Sequence, residues 1–488
     1  MPRAPRLRRC PRVSNLRQRR LQAVDSNTDL QAESYRSATP ALSLPIEVTC
    51  AIFEMAVGPS PFFTGGEPLP GNEAIAISQV CKKWRGIALD YTPLWTIFAY
   101  SDKGPMGNLC QGMILQRLQL HLDRSRGQPI DFWVNTPEPD MSDLLYDAFT
   151  QHMSYWRRVA LQLNPSGAGV SERIAQPDFA PNLEAFAMAH SHPDAIPHFP
   201  VPGFKLNAPN LATLRMDFRA FKTWAPPTTI THLDIDQWSS ADSACLPWST
   251  FLDIISSPTL TNLTIRALTE GGVMFDEPAS TDIARRVVTN LEHLHCSEPL
   301  VAQEMWGFIH RAPCLQGIYF DSLGLRYKWN IRQAVERRGN NLFGKNYDLR
   351  FPVLRSMSMT DCRITRPDLE CLAKMTPRVI VLGVFTVLTK TEGRPVDVLM
   401  SRKERSGEHI IWPELGRISV NIKGLEQAQY DSYSEFLLGR SEMMKLCRLS
   451  LCRSEAERWQ EQDAKSWQKL IDAGVVRDTA KRITEECS

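Results

Sequence analysis

The chain is 488 residues long, 43% hydrophobic and 23% charged, with a formal net charge of +2. These figures describe an ordinary soluble globular chain with room for two to four domains, and its overall charge implies no special partner. The longest apolar run, Val379 to Leu388, falls well short of the roughly twenty residues a membrane helix needs, so it reads as a buried strand and its flank.

Residues 1–40 read as a disordered basic tail and a polar linker. The first twenty hold Arg3, Arg6, Arg8, Arg9, Arg12, Arg17, Arg19 and Arg20 and no acid, and Pro2, Pro5 and Pro11 oppose a stable helix. Nuclear import, RNA contact and an organelle presequence are the functional readings of such a segment, and a solvated tail is the plain one.

Residues 41–98 carry most of the information. Ser43 suits a helix cap and Pro45 a first turn. Leu44, Val48, Ile52 and Met55 follow as one helical stripe, which Phe53 widens. A loop with four Pro and four Gly spans 58–73. A second helix then places Ile77, Cys81, Trp84 and Ala88 on one face, with Val80 and Ile87 beside it. Pro93 ends it, and Leu94 and Trp95 form an apolar anchor. A module of about 55 residues is marginal alone, so its apolar surface belongs against a partner or against the rest of the core.

Three ordered blocks in this segment resemble an F-box. They are L-P-x-E-x-x-x-x-I-F from Leu44 to Phe53, V-C-K-K-W-R-x-I-A from Val80 to Ala88, and T-P-L-W from Thr92 to Trp95. The pattern is similar to F-box-like proteins of the kind expanded in fungal genomes, where a Pro-containing loop often separates the two halves. Val48–Thr49 departs from the Ile–Leu more usual there. The resemblance implies docking on a Skp-type adaptor, and through it on a cullin–RING ubiquitin ligase, in the cytoplasm or nucleus. It assigns the contact to Leu44, Pro45, Ile46, Val48, Ile52, Phe53, Val80, Cys81, Trp84 and Trp95.

Residues 99–180 connect this module to a longer region. Met113 to Leu122 reads as a helix, Ile130 to Val134 as a strand, 141–158 as a helix, and Val159, Leu161 and Leu163 as an alternating strand. From 181 to 453 a pattern L-x-x-L-x-h recurs, h being apolar, as in APNLEAFAM, APNLATLRM and SPTLTNLTI. Its first apolar positions lie at 183, 211, 230, 260, 291, 315, 354, 379, 415 and 446, at intervals from 19 to 39 residues. That approaches the period of leucine-rich repeats, without a clear asparagine ladder to pin the turns. The fold class expected is α/β: a small helical F-box-like module followed by an irregular leucine-rich-repeat solenoid. An ordinary α/β domain with Leu-rich strands is the alternative. Residues 454–488 read as a helical cap and tail, with Trp459 and Trp467 on one side.

In such a repeat, apolar residues two apart, such as Leu263 and Ile265, face the core, and the residue between them faces out. The outward set holds Arg215, Asp234, Thr264, His295, Tyr319 and Ser358, followed by Asp217, Asp236, Arg266 and Asp321. Mixed charge with an aromatic suits a protein target better than a nucleic-acid backbone. No phosphate loop, dinucleotide fingerprint or nucleophile elbow appears. Twelve cysteines lack CxxC and zinc-ligand spacing and read as reduced thiols, so no cofactor or metal is implied. The sequence therefore points to a non-catalytic substrate receptor with an unidentified protein target and no membrane partner. A repeat scaffold outside any ligase and nucleic-acid binding through the arginine tail stand as alternatives.

Overall fold

A computed structural model describes residues 43–57, 73–101, 111–135, 148, 150–163, 179–190, 207–222, 226–237, 245–267, 274–276, 286–321, 330–337, 350–360, 362, 364–385, 412–420, 427–443, 447–451 and 453–476. The arginine tail, its linker, the Pro/Gly loop and the last twelve residues lie outside them. The described residues form two compact units, 43–57 with 73–94, and 95–476.

The first unit has three helices, α1 (Ile46–Val57), α2 (Glu73–Gln79) and α3 (Lys82–Asp90). The Pro45 carbonyl accepts both the amide and the hydroxyl of Thr49 at 3.0 Å, so α1 begins just after the proline, not at Ser43. The single second helix expected from the spacing is two helices. Cys81 breaks it: its backbone is extended, and its Sγ accepts the Trp84 amide as the cap of α3. Phe53 is fully buried and meets the Trp84 ring edge-on at 5.1 Å.

The second unit is mixed α/β around an open, thirteen-stranded parallel sheet. Its first strands are β1 (Ile97–Ser101), β2 (Ile130–Asn135), β3 (Trp156–Leu163) and β4 (Ala185–His190). Next come β5 (Thr213–Asp217), β6 (His232–Asp236) and β7 (Asn262–Arg266). A separate parallel pair, β8 (Arg286–Val287) and β10 (Ile309–Arg311), brackets β9 (His293–Cys296) in sequence. The sheet continues through β11 (Gly317–Phe320), β12 (Ser356–Thr360), β13 (Val381–Phe385), β14 (Arg417–Val420) and β15 (Arg448–Ser450). Its strand order follows the chain from β1 to β15. Where a helix was expected to 158, β3 already begins at Trp156, after a 3-10 turn at Met153–Tyr155.

Each of the ten repeat positions stands two residues before a strand: 183 before β4, 211 before β5, and so on to 446 before β15. The nine that lie among the described residues are buried. The turn before them is itself repeated, because the amides of Leu183, Leu211, Ile230, Leu315, Leu354, Val379 and Leu415 each donate to the carbonyl three residues back. The residue just before the anchor often reaches to an earlier turn. Asn182 Nδ2 donates to the Ser154 carbonyl at 2.8 Å and Asn210 Nδ2 to Pro181 at 2.7 Å. Thr229 donates to Leu211, Thr259 to Thr228 and Ile230, Asn290 to Pro258, and Arg378 to Pro352. A ladder is thus present, built from amide, hydroxyl and guanidinium donors in place of asparagine alone.

Helices cover the apolar side of the sheet. They include α4 (Gln111–Ser125), α5 (Trp248–Ile255), α6 (Pro299–Phe308), α7 (Ile331–Arg337) and α8 (Arg366–Met375). Phe251, Leu252 and Ile255 are buried as their spacing predicts, and so are Ile114 and Leu118. Two buried arginines tie the layers by donating to backbone carbonyls: Arg117 to Ala99 on the edge strand β1, and Arg350 to Trp306 and Ile309 at the end of α6.

At the other edge, the expected single cap helix is two. After α9 (Gln427–Met443), they are α10 (Arg453–Gln462) and α11 (Ala464–Asp472), and Asp463 caps the second by accepting the Ser466 amide. Trp459 and Trp467 are buried against each other at 5.9 Å. The segment after α11 returns to β15, where Leu449 donates to the Val475 carbonyl at 2.9 Å and part of the exposed strand edge is closed.

The alternation of inward and outward residues gives a direct contrast. Leu263→Ala is expected to cost about 2–5 kcal/mol, since the side chain is buried and its loss leaves a cavity. Its outward neighbour Thr264→Ala should stay within about 0.5 kcal/mol of the parent. Urea unfolding of both variants measures the difference.

Candidate functional site

On the first unit, the stripe Leu44, Val48, Ile52 and Met55 lies beside the buried face, and Thr49 and Phe53 form that face. Val48 is 43% exposed and Met55 74%, while Leu44 and Ile52 are half-buried. Ile46 and Val80 add further uncovered apolar surface at 59% and 61%. Pro45 is exposed. Cys81 and Trp84 are half-buried, one as a helix cap and the other against Phe53. Polar contacts frame the patch: Lys83 Nζ donates to the Leu44 carbonyl at 3.2 Å, Arg85 Nε to Ser78 at 3.0 Å, and the Tyr91 hydroxyl to Glu54. The bond to Glu54 pushes the tyrosine up to about 12.

Two of the residues assigned to partner contact have no surface to offer. Phe53 is the centre of its own unit's packing. Trp95 belongs to the second unit, where it is fully buried, meets His121 edge-on at 5.2 Å and lies under the Arg124 guanidinium at 4.2 Å. Bulk and aromaticity made both look like anchors, and the structure uses them as core.

On the second unit, strand register assembles the expected outward residues into one row. Arg215, Asp234, Thr264, His295, Tyr319, Ser358, Gly383, Ser419 and Ser450 are consecutive register partners. Asp217, Asp236 and Arg266 stand side by side in the same way one step on. The charges are largely spent on each other. Arg215 Nε meets Asp236 Oδ2 at 2.5 Å, and Arg266 bonds Asp236 Oδ1 at 3.0 Å and Asp234 Oδ2 at 2.9 Å. Burial works against the Arg266 charge, and the two carboxylates outweigh it, so its pKa is raised. Asp236 is buried between the two arginines, and Asp217 has no exposed surface where β5 runs into a 3-10 turn at Phe218–Lys222. Neither aspartate is a recognition residue of this surface, contrary to expectation.

The remaining members form an imidazole–phenol group. The Tyr319 ring lies 6.3 Å from His295 and 6.4 Å from His293, and His295 Nε2 is 3.8 Å from Asp321. Gly317 makes room for this ring, since a Cβ there would stand 2.9 Å from the Tyr319 hydroxyl and 2.8 Å from His293 Nδ1. An open groove of ≈580 Å³ adjoins it, lined by Glu292, His293, Cys314, Gln316, Arg355 and Ser356. Arg355 is held there by Glu414 at 3.0 Å. The tyrosine was legible from the repeat; His293 and Gly317, two residues earlier on their strands, could have been found by extending the outward row by two residues.

Among the described residues no three His, Cys, Asp or Glu side chains gather as a metal-ligand set, and no helix is long and apolar enough to cross a membrane. No protein-family model matches the chain, and no curated protein matches it.

Beneath the surface lie two strongly perturbed groups. Burial pushes Glu298 up to about 8, outweighing the amides of Val301, Met274 and Leu300 that favour its charge. Burial drives His121 down to about 3, helped by the nearby Arg117 charge. For Glu298 the unfolded chain releases its proton above 4.5 while the folded chain keeps it. Its stabilising contribution is therefore full below 4.5 and is lost as pH rises through about 8. For His121 the contribution is full above 6.5 and is lost as pH falls towards about 3. Urea midpoints should decline from 6.5 to 8 in the parent, and Glu298→Gln should flatten that decline.

Proposed function

We propose that this chain is the substrate-recognition subunit of a cullin–RING ubiquitin ligase. In this reading the first unit is an F-box-like module that docks on a Skp-type adaptor. The repeated sheet is a divergent leucine-rich-repeat solenoid that holds a protein target. The chain performs no chemistry itself. It raises the effective concentration of a target lysine near ubiquitin activated by a recruited enzyme.

The observation that carries the reading is the uncovered apolar stripe of α1. Val48 is 43% and Met55 74% exposed on this unit, although each could contribute about 1.5–3 kcal/mol on burial. Leu44, Val48 and Ile52 of the stripe fall within the first block that resembles an F-box, and Met55 stands two residues beyond it. Leu44, Pro45, Ile46, Ile52 and Val80 extend the contact, and Cys81 and Trp84 hold its shape. On the target side, Arg215, Asp234, Arg266, His295, Tyr319 and Asp321 belong to the outward surface. Cytoplasm or nucleus is the compartment this function requires.

The test is adaptor capture by the full chain. Val48→Asp combined with Met55→Asp should abolish capture of a Skp-type adaptor while leaving the urea midpoint of the sheet unit unchanged. Undiminished capture would remove the stripe from the interface. Absence of adaptor and cullin from the parent's purified complexes would leave a repeat scaffold outside any ligase.

A further inference from the structure

The ladder that joins the turns has a gap two rungs wide. Before β4, β5, β6, β7 and β9, and again before β13, the residue ahead of the buried repeat position bonds back to the preceding turn. Asn182, Asn210, Thr229, Thr259, Asn290 and Arg378 all donate to a backbone carbonyl there. Pro181, Thr228, Pro258 and Pro352, each two residues before its own repeat position, are among the acceptors. Before β11 and β12 the donor's place is taken by Cys314 and Val353, and neither side chain makes a hydrogen bond to a described residue. The carbonyls at the matching acceptor positions, Thr289 and Pro313, accept none from a described residue either.

The open groove of ≈580 Å³ lies at this gap, with Pro313, Cys314 and Val353 in its lining. Glu292 lines it too, and its carboxylate has no ion-pair or hydrogen-bond partner among the described residues. Arg355, the cation in the lining, is spent on Glu414, so the Glu292 charge is left uncompensated. Val353, 36% exposed, and Pro313 add apolar surface beside these acceptors. The next turn along shows what fits such a place. There Arg378 sets a guanidinium nitrogen 3.2 Å from the Pro352 carbonyl, one repeat beyond the vacant Pro313 carbonyl. Arg350 repeats the chemistry inside the unit, where one nitrogen serves the Trp306 carbonyl at 3.0 Å and the Ile309 carbonyl at 2.6 Å.

We propose that this groove binds an arginine side chain presented by a partner protein segment, its guanidinium placed between the Glu292 carboxylate and the Pro313 carbonyl. A planar fork of five donors serves a carboxylate and a carbonyl at once, and an ammonium does so without that fixed geometry. The methylene stem lies on Val353 and Pro313. The partner thereby completes in trans the rung that Val353 leaves out. A free small cation would need a cavity that encloses most of its surface, whereas this groove is open, so the occupant is held by the chain that carries it. The site sits at the turns that start the strands, and the inference stands independently of adaptor docking and of the ligase reading.

The experiment uses the purified full chain and three immobilised libraries of peptides about twelve residues long, with flanks degenerate over uncharged residues. Their central residue is arginine, lysine or citrulline, and agmatine in solution is run as a competitor. Capture by the arginine library about tenfold or more above the other two supports the site. A loss of about tenfold or more for Glu292→Gln, which removes the charge and keeps the shape, supports it as well. Val353→Asn rebuilds the rung from within, as Asn182 and Asn210 do at their turns, and should exclude the peptides while thermal unfolding stays at or above the parent's. Should Val353→Asn lower the unfolding midpoint, Glu292→Gln still decides, because that side chain has no described partner to lose. Equal capture by the lysine or citrulline library, or unchanged binding by Glu292→Gln or by a folded Val353→Asn, would overturn the site. Agmatine competing as well as soluble copies of the captured peptides would overturn the assignment to a protein segment.

Discussion

Eight backbone hydrogen bonds run in single file through the turns that precede the strands. Ala212 donates to Glu184, Thr231 to Ala212, Thr261 to Thr231, Glu292 to Thr261, Gln316 to Glu292, Arg355 to Gln316, Ile380 to Arg355 and Gly416 to Ile380. Each donor sits one residue after a buried repeat position and one before its strand. The file fixes where every strand begins relative to the last, and strand register follows from it. A slip of one residue anywhere would turn the inward leucines to solvent and the outward charges to the core. Every surface property of the sheet unit, from the Arg215–Asp236 pair to the adjacent serines, depends on this alignment.

Much of that was legible from spacing. An apolar residue, then two more at fixed offsets, is a strand signal that survives intervals as uneven as 19 and 39, because the offsets within a repeat do not change. What could not be read was work shared among residue types. Asn182, Thr229 and Arg378 do one job at the same position, so no single letter runs through all the repeats. The break at Cys81 was hidden because Ile77, Cys81, Trp84 and Ala88 satisfy helical spacing even though a sulfur cap interrupts the helix. Size misled at Phe53 and Trp95, where large aromatic side chains serve packing. Pairing misled at Asp236, whose two arginine neighbours come from strands 21 and 30 residues away.

The same sheet treats charge in two ways. Towards its interior, ionisable groups are held by backbone atoms: Arg350 spans two carbonyls, and Glu298 caps α6 while accepting the Met274 amide. For the Arg350 charge, fixed carbonyl dipoles replace the lost solvation; Glu298, pushed up to about 8 by burial, keeps its proton there instead. Towards the outside, the strands from β5 to β7 neutralise themselves, while Arg417 on β14 and Arg448 on β15 are exposed with no ion-pair partner among the described residues. The outward face therefore changes character along the sheet, from a closed ion network, through imidazole and phenol, to hydroxyl and uncompensated cation.

The constant distance from repeat position to strand has an evolutionary corollary. The variation in repeat length falls after a strand begins, chiefly between its end and the next buried anchor, and none falls in the two residues that lead into a strand. One side of the sheet keeps time, and the other is free to be lengthened. Sequence inserted after a strand stands away from the file of turn bonds that sets the register, so descendants of such a chain can lengthen that side while the register is kept.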